Sequence, residues 1–318
     1  MQPVWEQVEG GLLGLLVGDA LGVPYEFHEP RDLPPPAEIG MFPPQSFHRS
    51  YSHVAPGTWS DDGAQALCLL ESLLECPEWS PADFSSRLLA WYREGYLAVG
   101  GKVFDVGIQT GVALDLLSQG VSPLAAGLDG VRNNGNGSLM RTLPTVLVHN
   151  GDDASLVALA HAQSQLTHAH PRAQACCALY ALWARREMEG SPDPWADAVC
   201  ALQSIYHPGS SHLTELETAV LPFPESHPVG GSGYVVDCLH SARVACREPD
   251  YASIIRASVA FGHDTDTTAC VAGGIAGLRH GKQGIPAAWL SALRGGDILA
   301  PIHRRLKEAV GSASSEKT

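Results

Sequence analysis

Apolar side chains recur every three or four positions through most of the chain, the spacing that lines one face of an α-helix. Over 62–76, Ala66, Leu69, Leu70, Leu73 and Leu74 form such a stripe, and Pro77 ends it. Segments 81–94, 106–118, 154–166, 172–189, 194–206, 233–246 and 250–262 read the same way. The alternating β-branched runs of strands are nearly absent, so the pattern predicts an all-α fold. Segment 268–278 is apolar or small on every side and is expected to be a fully buried helix. Its Gly273, Gly274 and Gly277 each cost about 1 kcal/mol against alanine, which makes sense where another backbone packs closely.

Breakers at Gly100-Gly101, 133–137 and 222–233 separate the helices. Residues 29–57, with seven prolines, and 207–232, rich in Pro, Gly, Ser and His, are predicted irregular. Loops of that length in a compact domain are functional or disordered. No independent linker stands out. Residues 1–310 are therefore expected to form one domain, with 311–318 a disordered polar tail.

Charge narrows the function. Against 34 Asp and Glu stand 20 Lys and Arg, a formal net charge of −14 that repels phosphate backbones and argues against a nucleic-acid scaffold. No apolar run approaches the roughly 18 residues of a membrane span. Glu6 and Glu9 stand where a signal peptide carries basic residues. The eight cysteines form no CxxC pair and sit mostly in apolar runs, as buried reduced thiols do. These features describe a cytoplasmic globular enzyme or small-molecule binder. Its helices can bury their stripes within one chain, so a monomer is expected.

Candidate chemistry concentrates at two helix starts. Gly262-His263-Asp264-Thr265-Asp266-Thr267-Thr268 opens the buried helix and offers hard oxygen ligands suited to Mg²⁺ or Mn²⁺. A cap needs one such residue, whereas two aspartates among three threonines exceed that need. Gly57-Thr58-Trp59-Ser60-Asp61-Asp62-Gly63 opens another helix; alone it reads as a charged first turn. If the two starts converge, four carboxylates repel one another unless cations sit between them, which suits a two-metal site. Asp264-x-Asp266-x-Thr268 also resembles the nucleophile motif of haloacid-dehalogenase-like phosphohydrolases. That fold needs βα units after the motif, and the 52 residues following Asp266 look helical.

In order along the chain come Gly18-Asp19-Ala20-Leu21-Gly22 with Glu26, Trp59-Ser60-Asp61-Asp62 and Phe104-Asp105-Val106-Gly107. Asn136-Gly137-Ser138-Leu139-Met140-Arg141, Thr167-His168-x-His170 and Gly233-Tyr234-Val235-Val236-Asp237 follow. The series closes with Gly262 to Thr267 and Ile285-Pro286-x-x-Trp289. Together they resemble the ADP-ribosylglycohydrolase family, especially the bacterial branch acting on dinitrogenase reductase, from about residue 8 to 300. The resemblance implies a compact helical domain with a dinuclear Mg²⁺ or Mn²⁺ centre held by Ser60, Asp61, Asp62, Asp264, Asp266 and Thr267. The family commonly has threonine where Ser60 stands.

It also implies catalytic roles for Asp61, Asp62, Asp266 and the loop carboxylate Glu26. Asp105 would face the guanidinium of an arginine substrate. The run 133–138, with Asn136, Gly137 and Ser138, would offer bare backbone N–H groups to the diphosphate, and His168 would sit near the same phosphates or ribose. Without the resemblance, Glu26 reads equally as a solvated loop charge, Asp105 as a helix cap, 133–138 as a turn and His168 as structural. His170 and His263 are expected to be structural, and Asp19 to tie down the first helix. The expected reaction is hydrolysis of the N-glycosidic bond of ADP-ribosyl-arginine on a protein. The alternatives are an O-linked ADP-ribose conjugate (serine-linked or O-acetyl), a non-catalytic ADP-ribose-binding protein, and a phosphohydrolase.

Overall fold

The computed structural model describes residues 5–76 and 78–315, without the side chains of 312–315. The chain opens with α1 (Trp5–Gly22), and a long, mostly irregular stretch leads to α2 (Asp61–Glu75) and α3 (Pro81–Glu94). Next come α4 (Ile108–Ser118) and the short α5 (Pro123–Ala126) and α6 (Pro144–Leu147). Then follow α7 (Asp153–Gln165), α8 (Pro171–Glu189), α9 (Pro194–Ile205), α10 (Ser211–Glu215) and α11 (Phe223–Ser226). The chain continues through α12 (Val235–Ala245), α13 (Tyr251–Ala260), α14 (Thr265–Gly284), α15 (Ala287–Ala292) and α16 (Gly296–Ser315). Among the described residues there is no strand, and no helix is long and apolar enough to cross a membrane.

The striped segments form helices within about two residues of their anticipated ends, and the expected buried helix 268–278 lies inside a longer one, 265–284. Segment 207–232 is a correction: α10, a π-helical turn at Leu216–Val220 and α11 order part of it. Leu216 and Val220 are fully buried, and the His240 ring bonds the Val220 carbonyl at 2.8 Å, so tertiary anchoring overrides the loop-like composition. The expected tail overlaps α16 as far as Ser315. Residues 316–318, and Pro77 with its role as helix stop, lie outside the described residues. Six of the eight free cysteines are buried; Cys76 is half-buried and Cys200 exposed.

Packing centres on α1 and α14. Every residue of α14 from Thr265 to Leu278 is buried, as is α1 from Val8 onward. The two helices touch along backbone: a Cβ built on Gly14 would lie 2.3 Å from the Gly273 carbonyl oxygen, and the reverse distance is the same. That contact explains glycines that weaken both helices intrinsically. Tyr251 Oη donates to Gly14 O at 2.7 Å, and Thr265 Oγ1 donates to Gly22 O at 2.8 Å. The second bond pins the start of α14 to the end of α1. Beyond it a 3₁₀ turn, Val23–Tyr25, delivers Glu26 to the same end of the pair.

Candidate active site

The N-termini of α2 and α14 meet. Asp19, on the last turn of α1, accepts the Ser60 N–H at 2.9 Å and the Gly63 N–H at 2.7 Å. It thus ties the first helix to the start of α2. Ser60 caps α2, its hydroxyl accepting the Asp62 N–H at 3.2 Å. Across the gap Thr267 Oγ1 donates to Asp62 Oδ1 at 3.3 Å. Asp264 occupies the capping position of α14 but makes no side-chain cap; its Oδ2 accepts Asn136 Nδ2–H at 2.9 Å instead. The capping alternative for Asp264 therefore fails on geometry.

Glu26, Asp61, Asp62 and Asp266 are all buried, and Asp264 is half-buried in the same cleft. Ligand oxygens of Glu26, Asp264 and Asp266 lie within 4.8 Å of one another. Glu26 Oε2, Asp62 Oδ2 and Asp266 Oδ2 are buried with no hydrogen-bond partner. Unpaired buried carboxylate oxygens are costly unless a cation completes them. The donor set consists of hard oxygens from two helix starts and the Glu26 loop and fits divalent Mg²⁺ or Mn²⁺. Glu26 joins this cluster directly, which excludes the solvated-loop alternative.

Burial, reinforced by mutual repulsion, raises Asp61, Asp62, Asp266 and Glu26 well above the usual carboxylate range, and burial lifts Asp19 to about 7. A carboxyl whose folded pKa exceeds its unfolded value of about 4 costs the metal-free fold stability as pH rises from there through the folded pKa. Cations that neutralise the cluster should therefore stabilise more at high pH. Adding Mn²⁺ to chelated protein is expected to raise the melting temperature more at pH 8 than at pH 5. Equal shifts at the two pH values would contradict a carboxylate-bound cation.

Glu26, Asp61, Asp62, Asp264 and Thr267 line a cleft of about 250 Å³, which Asp266 and Ser60 do not line, and its walls include Asp105, Gln109, Asn136, Gly137 and His168. Asp105 does not cap α4, whose capping position is Gly107. Its Oδ1 accepts the Tyr51 hydroxyl at 2.7 Å. The Tyr51 ring lies 5.9 Å from the Phe27 ring and 5.2 Å from that of Phe104. Of the five described non-glycine residues with positive φ, four (Phe27, Tyr51, Asp105 and His263) lie around this end of the molecule. Such conformations cost about 1–3 kcal/mol each and persist where surrounding contacts impose them. Phe27 N donates to His263 O at 2.6 Å and His263 N to His28 O at 2.8 Å, so His263 fastens the Glu26 loop to α14. His170 caps α8 through the Arg172 N–H, a structural role as expected.

The 134–138 run divides. Asn136 and Gly137 line the cleft, but the Asn136 N–H is engaged by Gly233 O at 3.0 Å. The Ser138 hydroxyl is turned into the core, accepting from Ser164 Oγ at 2.8 Å beside Cys177, so this residue can meet a ligand only through its backbone.

His168 does face the cleft, and Arg141 lies behind it. The Arg141 guanidinium is fully buried and donates to Thr167 Oγ1 at 2.7 Å and to Gln65 Oε1 at 2.7 Å. Thr167 Oγ1 is 2.8 Å from His168 Nδ1. With its oxygen accepting from arginine, the threonine hydrogen goes to Nδ1, which leaves Nε2–H as a donor to the cleft. Burial, with Arg141 nearby, holds the ring neutral by pushing its pKa down to about 3. On the other side Gln65 Nε2 donates to Asp61 Oδ2 at 3.0 Å, orienting that carboxylate. Sequence reading missed Tyr51, Gln65, Gln109 and the role of Arg141. Only Gln65 carried a local signal, since it follows Asp61 by one helical turn.

A family model described as ADP-ribosylglycohydrolase matches residues 2–316. The chain is 30% identical over 298 residues to ADP-ribosylarginine hydrolase Tri1 of Serratia proteamaculans (strain 568), covering 91% of this chain and 75% of that protein. It is 27% identical over 303 residues to ADP-ribosyl-(dinitrogen reductase) glycohydrolase of Rhodospirillum rubrum, covering 91% of each. A solved structure of an ADP-ribosylglycohydrolase-related protein complex superposes with a TM-score of 0.74 at 31% identity, covering 96% of this chain and 98% of that one.

Proposed function

The chain belongs to the ADP-ribosylglycohydrolase family and is a hydrolase of that class, and on this premise we propose that it removes ADP-ribose from arginine on a protein, using two divalent cations. The observation that carries the proposal is the convergence of two helix starts on buried, partly unpaired carboxylates, with Asp105 on the wall of the same cleft.

Asp105 supplies the acceptor for a guanidinium, and the Tyr51 hydroxyl holds that carboxylate in place. The names of two relatives support the same class of target: one is an ADP-ribosylarginine hydrolase, the other a glycohydrolase of ADP-ribosyl-(dinitrogen reductase). His168 Nε2–H and the Gly137 turn are placed to hold the phosphates or ribose. Asp61, Asp62, Asp264, Asp266, Glu26, Ser60 and Thr267 are the oxygens available to the cations. Bound there, the cations would orient the ribose diol and lower the pKa of a water by several units. Asp62 or Asp266 would assist by taking the proton from the attacking water through an oxygen that no cation holds. Positive charge then develops at the anomeric carbon as the bond to arginine breaks, its electron pair leaving with the guanidino nitrogen; the water oxygen bonds to that carbon, and the proton taken from the water passes to the released guanidine. The buried carboxylates stabilise that charge.

Asp105→Ala tests the choice of linkage. It is expected to lower kcat/KM on an arginine-linked substrate by about 100-fold, from loss of a charge-assisted pair. Release from a serine-linked substrate should change far less. Equal loss on both linkages would remove the guanidinium role.

A further inference from the structure

Behind the Asp105 wall lies a second cavity, of about 420 Å³, that the proposed reaction does not use. Phe104 lines it while its neighbour Asp105 lines the active cleft, so one turn of chain divides the two spaces. Tyr51 reinforces the division, its ring against Phe104 and near His53 while its hydroxyl holds Asp105. The cavity's chemistry is opposite to that of the protein. The chain carries a net charge of −14, yet this lining holds Lys102, Arg294 and His53 and no carboxylate. Lys102 and Arg294 are exposed, and neither makes an ion pair among the described residues. Val54, Val99 and Phe104 provide apolar walls between them.

We propose that this cavity is a docking site for the protein substrate and takes an acidic side chain close in sequence to the modified arginine. The inference rests on the reading of the active cleft as one for arginine-linked ADP-ribose. With the guanidinium at Asp105, the target's backbone must leave the cleft past that residue. A neighbouring side chain, spaced about 3.3–3.6 Å per residue along an extended chain, then arrives over the basic cavity. Charge complementarity selects what it can be. A carboxylate meets two unpaired cations there, whereas a lysine meets like charge, on a surface that elsewhere repels acids. The cavity thereby offsets the general repulsion between an acidic enzyme and an acidic stretch of target.

The test compares three substrates: free ADP-ribosyl-arginine, and two peptides with one ADP-ribosylated arginine flanked by glutamates or by lysines. They are hydrolysed by the wild type and by the double variant Lys102→Glu/Arg294→Glu. The wild type is expected to favour the glutamate peptide by about tenfold in kcat/KM through a lower KM, more strongly at low salt. The double variant should lose or reverse that preference and hydrolyse the free compound at the wild-type rate, which also reports its folding. Cleavage of the free compound with no preference between peptides would overturn the docking site alone. An equal rise in KM for the free compound would assign the cavity to the ADP-ribose moiety instead, and overturn it too. No release from the free compound by the wild type would remove the arginine reading, and the inference with it.

Discussion

Asp266→Asn and Asp62→Asn are each expected to abolish ADP-ribose release, lowering kcat by about 10³-fold or more, while the protein stays folded. Both carboxylates are buried, both keep one oxygen without a protein partner, and both are raised by burial and by their acidic neighbours. An amide is nearly isosteric but cannot accept the water's proton or neutralise a cation. The same change relieves repulsion in the metal-free protein. Each variant should therefore melt higher than the wild type in chelator, and gain less from Mn²⁺. Activity within tenfold of wild type in both variants would sink the acidic-centre mechanism. Lost activity with lowered metal-free stability would show these side chains to be structural.

The second large effect concerns the helix pair that carries the site. Gly14→Val is expected to destabilise the fold by about 3 kcal/mol or more, the upper range of overpacking. Its Cβ alone would fall 2.3 Å from the Gly273 carbonyl oxygen, which is backbone and cannot rotate away. Separating α1 from α14 also displaces Asp266 from Asp62 and Glu26, so cation affinity should fall together with stability. Gly296→Ala is the control, because no atom lies within 4 Å of a Cβ built there. It should change stability by less than about 0.5 kcal/mol. Denaturant unfolding separates the outcomes. A Gly14→Val protein within 1 kcal/mol of wild type would contradict the backbone contact.

Much of this arrangement was written into local pattern. The all-α fold follows from apolar stripes such as Leu69, Leu70, Leu73 and Leu74, and Gly273 and Gly277 announced the close backbone contact they make with α1. The two acidic helix starts were legible because two aspartates exceed what a cap requires. Their meeting was not derivable from either one. It depends on Asp19, Thr265 and Thr267 bonding across 41 to 243 residues of sequence separation.

Residues whose roles arise only from tertiary neighbours stayed hidden. Tyr51 sits in a proline-rich stretch with no periodicity, and nothing local says that its hydroxyl reaches Asp105. Arg141 looked like one more motif residue, though it links Asp61 and His168 from the core through Gln65 and Thr167. The Ser138 side chain in the glycine-rich turn packs on Ser164 and Cys177, a placement that the turn's composition does not reveal. In 207–232, composition suggested a loop while burial of Leu216 and Val220 imposed helical turns.

The central claim is a cation-dependent cleavage of ADP-ribose from arginine at the joined starts of α2 and α14. The most direct measurement is release of free ADP-ribose from an arginine-mono-ADP-ribosylated protein, with Mn²⁺, with Mg²⁺, and after chelation. Release that needs a divalent cation, returns when it is restored to the chelated protein, and is absent in Asp266→Asn is the predicted result. Release at an undiminished rate in chelator, or none from arginine under any of the three conditions, would contradict the account.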